Sequence, residues 1–434
     1  MPKVYIKTFG CQMNNHDTEV MSGLLEREGY YTIEEAEEAD IIILNTCSVR
    51  EKAEHKVYSE LGKYRELKKR KKCLIIGVGG CVGRQEGKNL IKRMPCIDIV
   101  FGPENIDKLP WLINGVIEKR SGRAIRGRIS SDSISKKRNA KISSLVSIMQ
   151  GCDNFCSYCV VPFTRGREKS RPSQDIISEI TGLAGDGCRE VILLGQNVNS
   201  YGRGLDEDID FPSLLYMIHD IQELARIRFI TSHPKDLSER LIDAMADLPN
   251  VCEHIHLPLQ SGSNNILEKM NRRYDYSDYI DRVKKLRDKV RNVSITSDII
   301  VGFPGESHCD FMDTIRALKE IRFDNIYAFK FSKRPNTAAM NIDGQIPEDV
   351  KKERLQEVIS LQKEITLNKN REFIGRIEEI LVEGESKNGK KMLTGKTLSN
   401  RIVNFEGEDN LIASICHVKI NEFCSGSLRG DICY

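Results

Sequence analysis

The stretch SIMQGCDNFCSYCVVPFTRGRE, beginning at Ser147, sets Cys152, Cys156 and Cys159 in the pattern C-x3-C-x2-C. A cubic iron–sulfur cluster is usually held by four thiolates, one per iron. Three thiolates with no fourth cysteine close by would leave one iron open, and an open position on a metal is where a substrate or cofactor binds. Zinc is the rival metal, but zinc knuckles bring a second C-x2-C pair or nearby histidines. Neither follows this triplet in the sequence.

Three more cysteines stand far apart: Cys11 in TFGCQMNNHDTE, Cys47 in LNTCSVREKA and Cys81 in GVGGCVGRQEG. Each lies just past the C-terminal end of a predicted strand. In open parallel sheets those ends form a common crevice where ligands bind, so the three thiols are expected to converge as a second set for one cluster. Cys96 precedes its strand and is excluded. Cys73, Cys188, Cys252, Cys416 and Cys433 read as ordinary small core residues.

The elements that must position these thiols follow from hydrophobic patterning. VYIKTF, DIIILNT, LIIGVGG and IDIVFG each lead into a helix-patterned segment, which predicts a parallel α/β sheet domain over residues 2–118. The Lys-, Arg- and Ser-rich stretch 119–141 has no periodicity and reads as a basic linker. Six further strands are predicted at Leu145–Met149, Glu190–Leu194, Ile227–Thr231, His254–Leu257, Ser294–Ile300 and Asn325–Phe329, with amphipathic helices between most of them. Six βα units fall short of the eight of a closed barrel, so residues 142–370 are expected to form an open, partial (βα)6 barrel. From 371 to 434 short alternating strands with Gly and Asn turns predict a small all-β barrel. The fold class is therefore α/β with a terminal β domain.

Composition narrows the setting. The chain of 434 residues is 40% hydrophobic and 30% charged, with a net charge of +3 and 14 cysteines, as in an ordinary globular protein. No apolar run approaches the ~20 residues needed to span a bilayer, and the start reads as a strand rather than a signal peptide. A cytoplasmic setting follows, in which cysteines act as ligands or catalysts more than as disulfides. Positive charge is local, in KYRELKKRKK (63–72) and in the 119–141 stretch, and both are candidate phosphate contacts.

Other residues at the predicted strand ends are weaker candidates. Gln196, His256 and Gln260 face the same mouth, and Gly302 to Glu306 (GFPGE) would let a ligand approach the backbone. Arg165 and Arg167 are placed to meet a carboxylate or phosphate. A satisfied core group, a plain turn or an ion pair is the competing reading for each.

With Tyr158 between its last two cysteines, the C-x3-C-x2-C triplet resembles that of the radical S-adenosylmethionine enzymes. Together with the N-terminal triplet and the final β domain, the whole chain resembles their methylthiotransferase family. TFGCQMNNHDTE, NTCSVREKA, GCDNFCSYCVVPFTRGREKSRP, LLGQNVNSYG, TSHPKD, HLPLQSGSNNILEKMNRRY and DIIVGFPGE resemble most closely the branch acting on dimethylallyladenosine in tRNA. The resemblance implies two 4Fe-4S clusters, one on Cys11, Cys47 and Cys81 and one on Cys152, Cys156 and Cys159, the latter binding S-adenosyl-L-methionine through its open iron.

The resemblance also implies a reaction. One S-adenosylmethionine donates a methyl group to sulfur; another is cleaved to a 5′-deoxyadenosyl radical that takes hydrogen from adenine C2, where methylthio is installed. Implied partners are the tRNA anticodon loop and an electron donor protein, with the enzyme acting as a monomer away from membranes. The last region matches a TRAM domain, although it carries nine Lys/Arg against ten Asp/Glu. Alternatives are the same chemistry on threonylcarbamoyladenosine or a ribosomal protein, and a non-enzymatic, metal-bearing tRNA-binding protein.

Overall fold

The computed structural model describes residues 1–48, 51–121, 142–386 and 391–433. Five parallel strands form the first sheet: β1 (Lys3–Thr8), β2 (Tyr31–Ile33), β3 (Ile41–Thr46), β4 (Ile75–Gly80) and β5 (Ile99–Val100). They are ordered β2-β1-β3-β4-β5. Every residue of β3 and β4 is buried, the mark of a parallel sheet covered on both faces. Strand alternation sorts their side chains. Ile42, Leu44, Ile76 and Val78 pack with Val57 and Leu61 of α2 (Glu51–Arg70). Ile41, Ile43 and Ile75 pack on the other face against Met21 and Leu25 of α1 (Gln12–Arg27). The edge strand β2 was not expected; three residues between polar neighbours leave little pattern to read.

The central body carries β6 (Ser143–Ser147), the short antiparallel pair β7 (Met149–Gln150) and β8 (Lys169–Ser170), then β9 (Glu190–Leu194), β10 (Arg226–Phe229), β11 (His254–His256), β12 (Ser294–Val301) and β13 (Asn325–Lys330). Strands β6, β9 and β10 form one parallel sheet and β11, β12 and β13 another. A parallel bridge from Ile227 to Val251 joins them. The result is the expected open arc of six parallel strands. Alternate residues such as Val191, Leu193, Ile227 and Phe229 pack outward under the helices, so their neighbours Glu190, Arg226 and Arg228 face the inside.

The last body is a closed five-stranded barrel of β14 (Ile377–Glu385), β15 (Met392–Lys396), β16 (Ile402–Glu406), β17 (Ile415–Phe423) and β18 (Leu428–Cys433). It has its own core of Ile380, Val382, Leu393, Val403 and Phe405. This barrel docks on the N-terminal ends of the central strands. Arg226 is fully buried and donates to the Lys396 and Glu379 carbonyl oxygens and to Glu379 Oε1 at 3.0 Å. Arg228 donates to Glu190 Oε2 at 2.6 Å and to the Thr397 carbonyl at 2.7 Å. Arg401 reaches back to Asp324, which directly precedes β13.

The basic run 63–72 forms the end of α2 and the turn after it, beside the start of β4, at the sheet end opposite Cys47 and Cys81. Lys63, Arg65, Lys68, Lys69 and Lys71 are each in ion pairs, with Glu60, Glu66, Asp98, Glu66 and Asp40. Five of the seven basic side chains of this run are thus in ion pairs within their own domain. The second basic stretch lies, from residue 122 onward, outside the described residues.

Candidate active site

The N-terminal thiols sit where the strands end. Cys11 is the residue before α1, Cys47 follows β3 and Cys81 follows β4 and opens the short helix α3 (Cys81–Glu86). An asparagine–threonine lattice fixes the spacing. The Cys11 thiol donates to Asn14 Oδ1 at 3.3 Å, and Asn14 Nδ2 donates to the Thr46 carbonyl at 2.9 Å. Asn45 Nδ2 donates to the Asn14 carbonyl at 2.7 Å. A Cβ on Gly10, whose φ is +122°, would collide with Cys47, and one on Gly80, whose φ is +86°, would collide with the Thr46 carbonyl. These backbones approach too closely for any side chain. A hydrogen bond from Cys47 and the nearby charge of Arg165 bring the Cys11 thiol down to about 6, against its burial.

The second triplet lies on the loop after β7. Cys152 and Cys156 are buried and Cys159 is partly so. Burial pushes the Cys152 thiol up to about 11 and that of Cys159 up to about 12, and each feels the charge of Cys156. Bound iron removes that proton outright. Sequence reasoning missed the group beneath them. Arg272, 3% exposed, donates from Nη1 to Cys156 Sγ at 3.3 Å and to the Tyr158 hydroxyl at 3.3 Å. Its other nitrogens bond the Tyr274 hydroxyl and the Pro258 carbonyl. The signal was present in MNRRY, but its target lies 116 residues away in the chain.

Contacts between the domains bring the start of α1 onto the central arc. Met13, two residues after Cys11, packs on Ile192 and Leu194 of β9, with Cys11, Leu145 and Ile230 alongside. The start of α1 therefore lies over the inside of the central arc. Arg165, six residues after Cys159, pairs with Asp17 of α1 at 2.7 Å and its charge acts on both Cys11 and Cys81. The short helix Val161–Thr164 packs on α3.

The other candidates divide. Gln196 turns back to accept from the Gly151 N–H, where the backbone has φ +81°. His256 bonds Thr296 Oγ1 at 3.0 Å and lies 3.5 Å from Asp298. Arg167 is an exposed ion pair with Asp153 at 2.8 Å. In the GFPGE turn, Glu306 Oε2 accepts from the Gly302 N–H at 2.7 Å and pairs with Arg354, while its buried Oε1 has no partner. Gln260 is buried with its Oε1 unpartnered, as are Glu168 Oε1, Asn197 Oδ1, Ser232 Oγ and His233 Nε2. Asn197, Ser232, His233 and Gln260 each follow the end of a strand of the arc, and Glu168 directly precedes β8. Burial leaves His233 strongly biased to its neutral form.

Among the described residues, no three His, Cys, Asp or Glu side chains gather around a single-ion position. Each set offers three thiols, which is the donor chemistry of an iron–sulfur cluster. Unpartnered buried oxygens and nitrogens beside them fit a polar cofactor, because such atoms cost free energy unless hydrogen-bonded.

Comparison with known proteins agrees with this architecture. Residues 3–102 match Uncharacterized protein family UPF0004, residues 146–318 the Radical SAM superfamily and residues 371–433 the TRAM domain. The chain is 52% identical to the tRNA-2-methylthio-N(6)-dimethylallyladenosine synthase of Syntrophus aciditrophicus, over 99% of this chain and 94% of that one. It is 49% identical to the synthase of the same name from Thermodesulfovibrio yellowstonii, over 99% and 98%. In fold it is similar to the radical S-adenosylmethionine methyltransferase TsrM from Kitasatospora setae, with a TM-score of 0.56 at 15% identity over 78% of this chain and 75% of that one. Three matched domains in this order, and near-complete coverage at about half identity, place the chain in the tRNA-2-methylthio-N(6)-dimethylallyladenosine synthase family of radical SAM methylthiotransferases.

Proposed function

We propose that this chain installs methylthio at C2 of adenine in N6-(dimethylallyl)adenosine beside the tRNA anticodon, with residues 2–118 and 142–370 each holding one 4Fe-4S cluster. Cys11, Cys47 and Cys81 would hold the first cluster. Cys152, Cys156 and Cys159 would hold the second, which takes S-adenosylmethionine on its open iron. The observations that carry this reading are that Cys11 and Met13 pack on the inner face of the central arc, and that Arg165, six residues after Cys159, pairs with Asp17 of α1. Two clusters so placed serve one substrate atom in one space.

When bound, the clusters and S-adenosylmethionine supply one-electron chemistry able to break an aromatic C–H bond that offers no easy acid–base route. The chain does the positioning. Arg272 holds the Cys156 sulfur and the Tyr158 ring in place and sets a positive charge against the thiolates. Arg165 sets a charge beside Cys11 and Cys81 and ties α1 to the segment that follows Cys159. The unpartnered atoms of Asn197, Ser232, His233 and Gln260 are available to orient the cofactor's polar groups, with His233 neutral.

The target base must leave its stack to reach this space, which a single-stranded loop allows. The enzyme works as a monomer in the cytoplasm with an electron donor protein, and no helix among the described residues is long and apolar enough to cross a membrane. Selectivity for the prenyl group would come from apolar burial at roughly 0.8 kcal/mol per methylene, so five carbons contribute about 4 kcal/mol at most.

Nucleoside mass analysis of tRNA from cells with and without this protein is the direct test. The reconstituted enzyme should modify prenylated tRNA far faster than unprenylated tRNA. Its activity at sub-saturating tRNA should fall steeply with salt, as phosphate contacts require. Equal rates on the two tRNAs would refute the prenyl pocket, and methylthiolation of a ribosomal protein instead would refute the substrate.

A further inference from the structure

Two aromatic side chains, one on the radical cysteine loop and one on the short helix after it, are unaccounted for by cluster or cofactor binding. Phe155 and Phe163 are 37% and 42% exposed. They are not scattered: their rings pack edge to face with centroids 6.3 Å apart and planes at 82°. Single exposed apolar residues need no explanation, but a preformed exposed pair at a site does. The Arg167 guanidinium carbon lies 5.1 Å from the centre of the Phe155 ring and is itself 73% exposed on its side chain.

The backbone is held at a cost to present this pair. Phe155 has φ +48°, a left-handed conformation that is an outlier for a bulky residue. Such strain persists only where surrounding structure enforces it. Here the enforcing group is Asn271, whose Nδ2 donates to the Phe155 carbonyl at 3.0 Å and to the Asn154 carbonyl at 3.4 Å. Phe163 stands on the Val161–Thr164 helix, whose packing on α3 ties it to the Cys81 side. Phe155 thus sits inside the second triplet, next to Cys156, and Phe163 on the segment that leads from it to α3.

We propose that Phe155 and Phe163, with Arg167, form a stacking platform for an unpaired nucleobase of the tRNA loop beside the adenosine being modified. Every base has a π face that an aromatic ring or a guanidinium plane can take, and unstacked loop bases are recognised in this way. Flipping out the target exposes the face of its neighbour, and a platform at the rim of the site covers it again. The Arg167 guanidinium, paired with Asp153 and lying beside the Phe155 ring, adds a planar cation to the platform. The proposal rests on the tRNA reading above and deepens it by naming what holds the loop.

The test uses the full, iron-loaded chain and a prenylated anticodon stem–loop RNA as probe. Loss of both rings in Phe155→Leu/Phe163→Leu, which keeps apolar volume but removes the π faces, should weaken stem–loop binding by about tenfold or more. Phe155→Tyr/Phe163→Tyr should restore it. Iron per chain is measured alongside. If the double Leu variant loses iron, Phe163→Leu alone decides the matter, since its ring lies off the cysteine loop; it should weaken binding by a few-fold.

Wild-type affinity in an iron-replete Leu variant would overturn the platform. So would a variant that binds RNA normally but forms 5′-deoxyadenosine poorly with a protein reductant and normally with dithionite, because the rings would then dock the electron donor. Failure of the wild-type chain itself to bind or modify the prenylated stem–loop would instead overturn the substrate reading.

Discussion

Arg165 and Asp17 lie 148 residues apart in the chain and in different domains, yet their side chains meet at 2.7 Å. They are 5% and 10% exposed. Burial alone would favour a neutral Asp17, but the Arg165 charge, helped by His16, holds its carboxyl below the usual range. The pair ties α1 to the segment that follows Cys159. Replacing one partner of a buried pair leaves the other charge uncompensated, at about 3–5 kcal/mol. Asp17→Asn should therefore lower the unfolding free energy by that amount in denaturant titrations, whereas an exposed pair such as Lys63 with Glu60 should matter little.

The cysteine assignments separate by iron content. Two four-iron clusters give about eight irons per chain. Changing Cys11, Cys47 and Cys81 to Ala should leave about half of that and retain part of the cofactor cleavage. Cys156→Ala should abolish 5′-deoxyadenosine formation. Full iron in the triple variant, or unchanged 5′-deoxyadenosine in Cys156→Ala, would contradict the respective assignment.

Arg272 should act on the cluster's potential. A cationic donor at a thiolate stabilises the more negatively charged, reduced state. Arg272→Gln removes the charge while keeping a donor, and should lower the midpoint potential of the second cluster by tens of millivolts, a one-electron tenfold change being about 59 mV. Spectroelectrochemical titration reads this directly, and a purely structural role would leave the potential where it was.

Asp310 gives a pH signature. It closes a capping box with Ser307 at the start of the helix His308–Ile321 and also accepts from Ser263. Its burial works against the charge, but these hydrogen bonds bring it down to about 2. Its folded value lies below its unfolded value near 3.9, so its stabilisation is complete above about pH 4 and is lost as pH falls towards 2. The contribution is on the order of 2 kcal/mol. Asp310→Asn should lose it at neutral pH, and the difference in stability between variant and wild type should shrink on acidification below pH 4.

What was legible in the sequence was what local patterning dictates. Six central strands could be read because runs such as EVILL pair with their neighbours in register and are buried throughout. Cys47 and Cys81 could be placed because each follows such a run without a gap. Groups whose meaning depends on a distant partner stayed hidden. Met13 looks like any helix residue until the arc it enters is present, and Arg226 looks like a surface charge. The ion pairs of the run at 63–72 stayed hidden for the same reason: its partners Asp40 and Asp98 lie at the starts of other strands. Gln196 pointed the right way in sequence but spends its oxygen on the turn that carries the cysteine loop.

The seating of the final β barrel has a consequence for evolution and engineering. Arg226 and Arg228 lose their carbonyl acceptors if that barrel leaves, and Asp324 loses Arg401. A relative's barrel grafted onto this chain would have to bring matching carbonyls to the same two guanidiniums. Chimeras joined at residue 371 should therefore be soluble only when the seam is transplanted with the module. Change of substrate in such a lineage must proceed on the free side of the barrel and at the cysteine-bearing mouth, leaving the joint between them as its most conservative part.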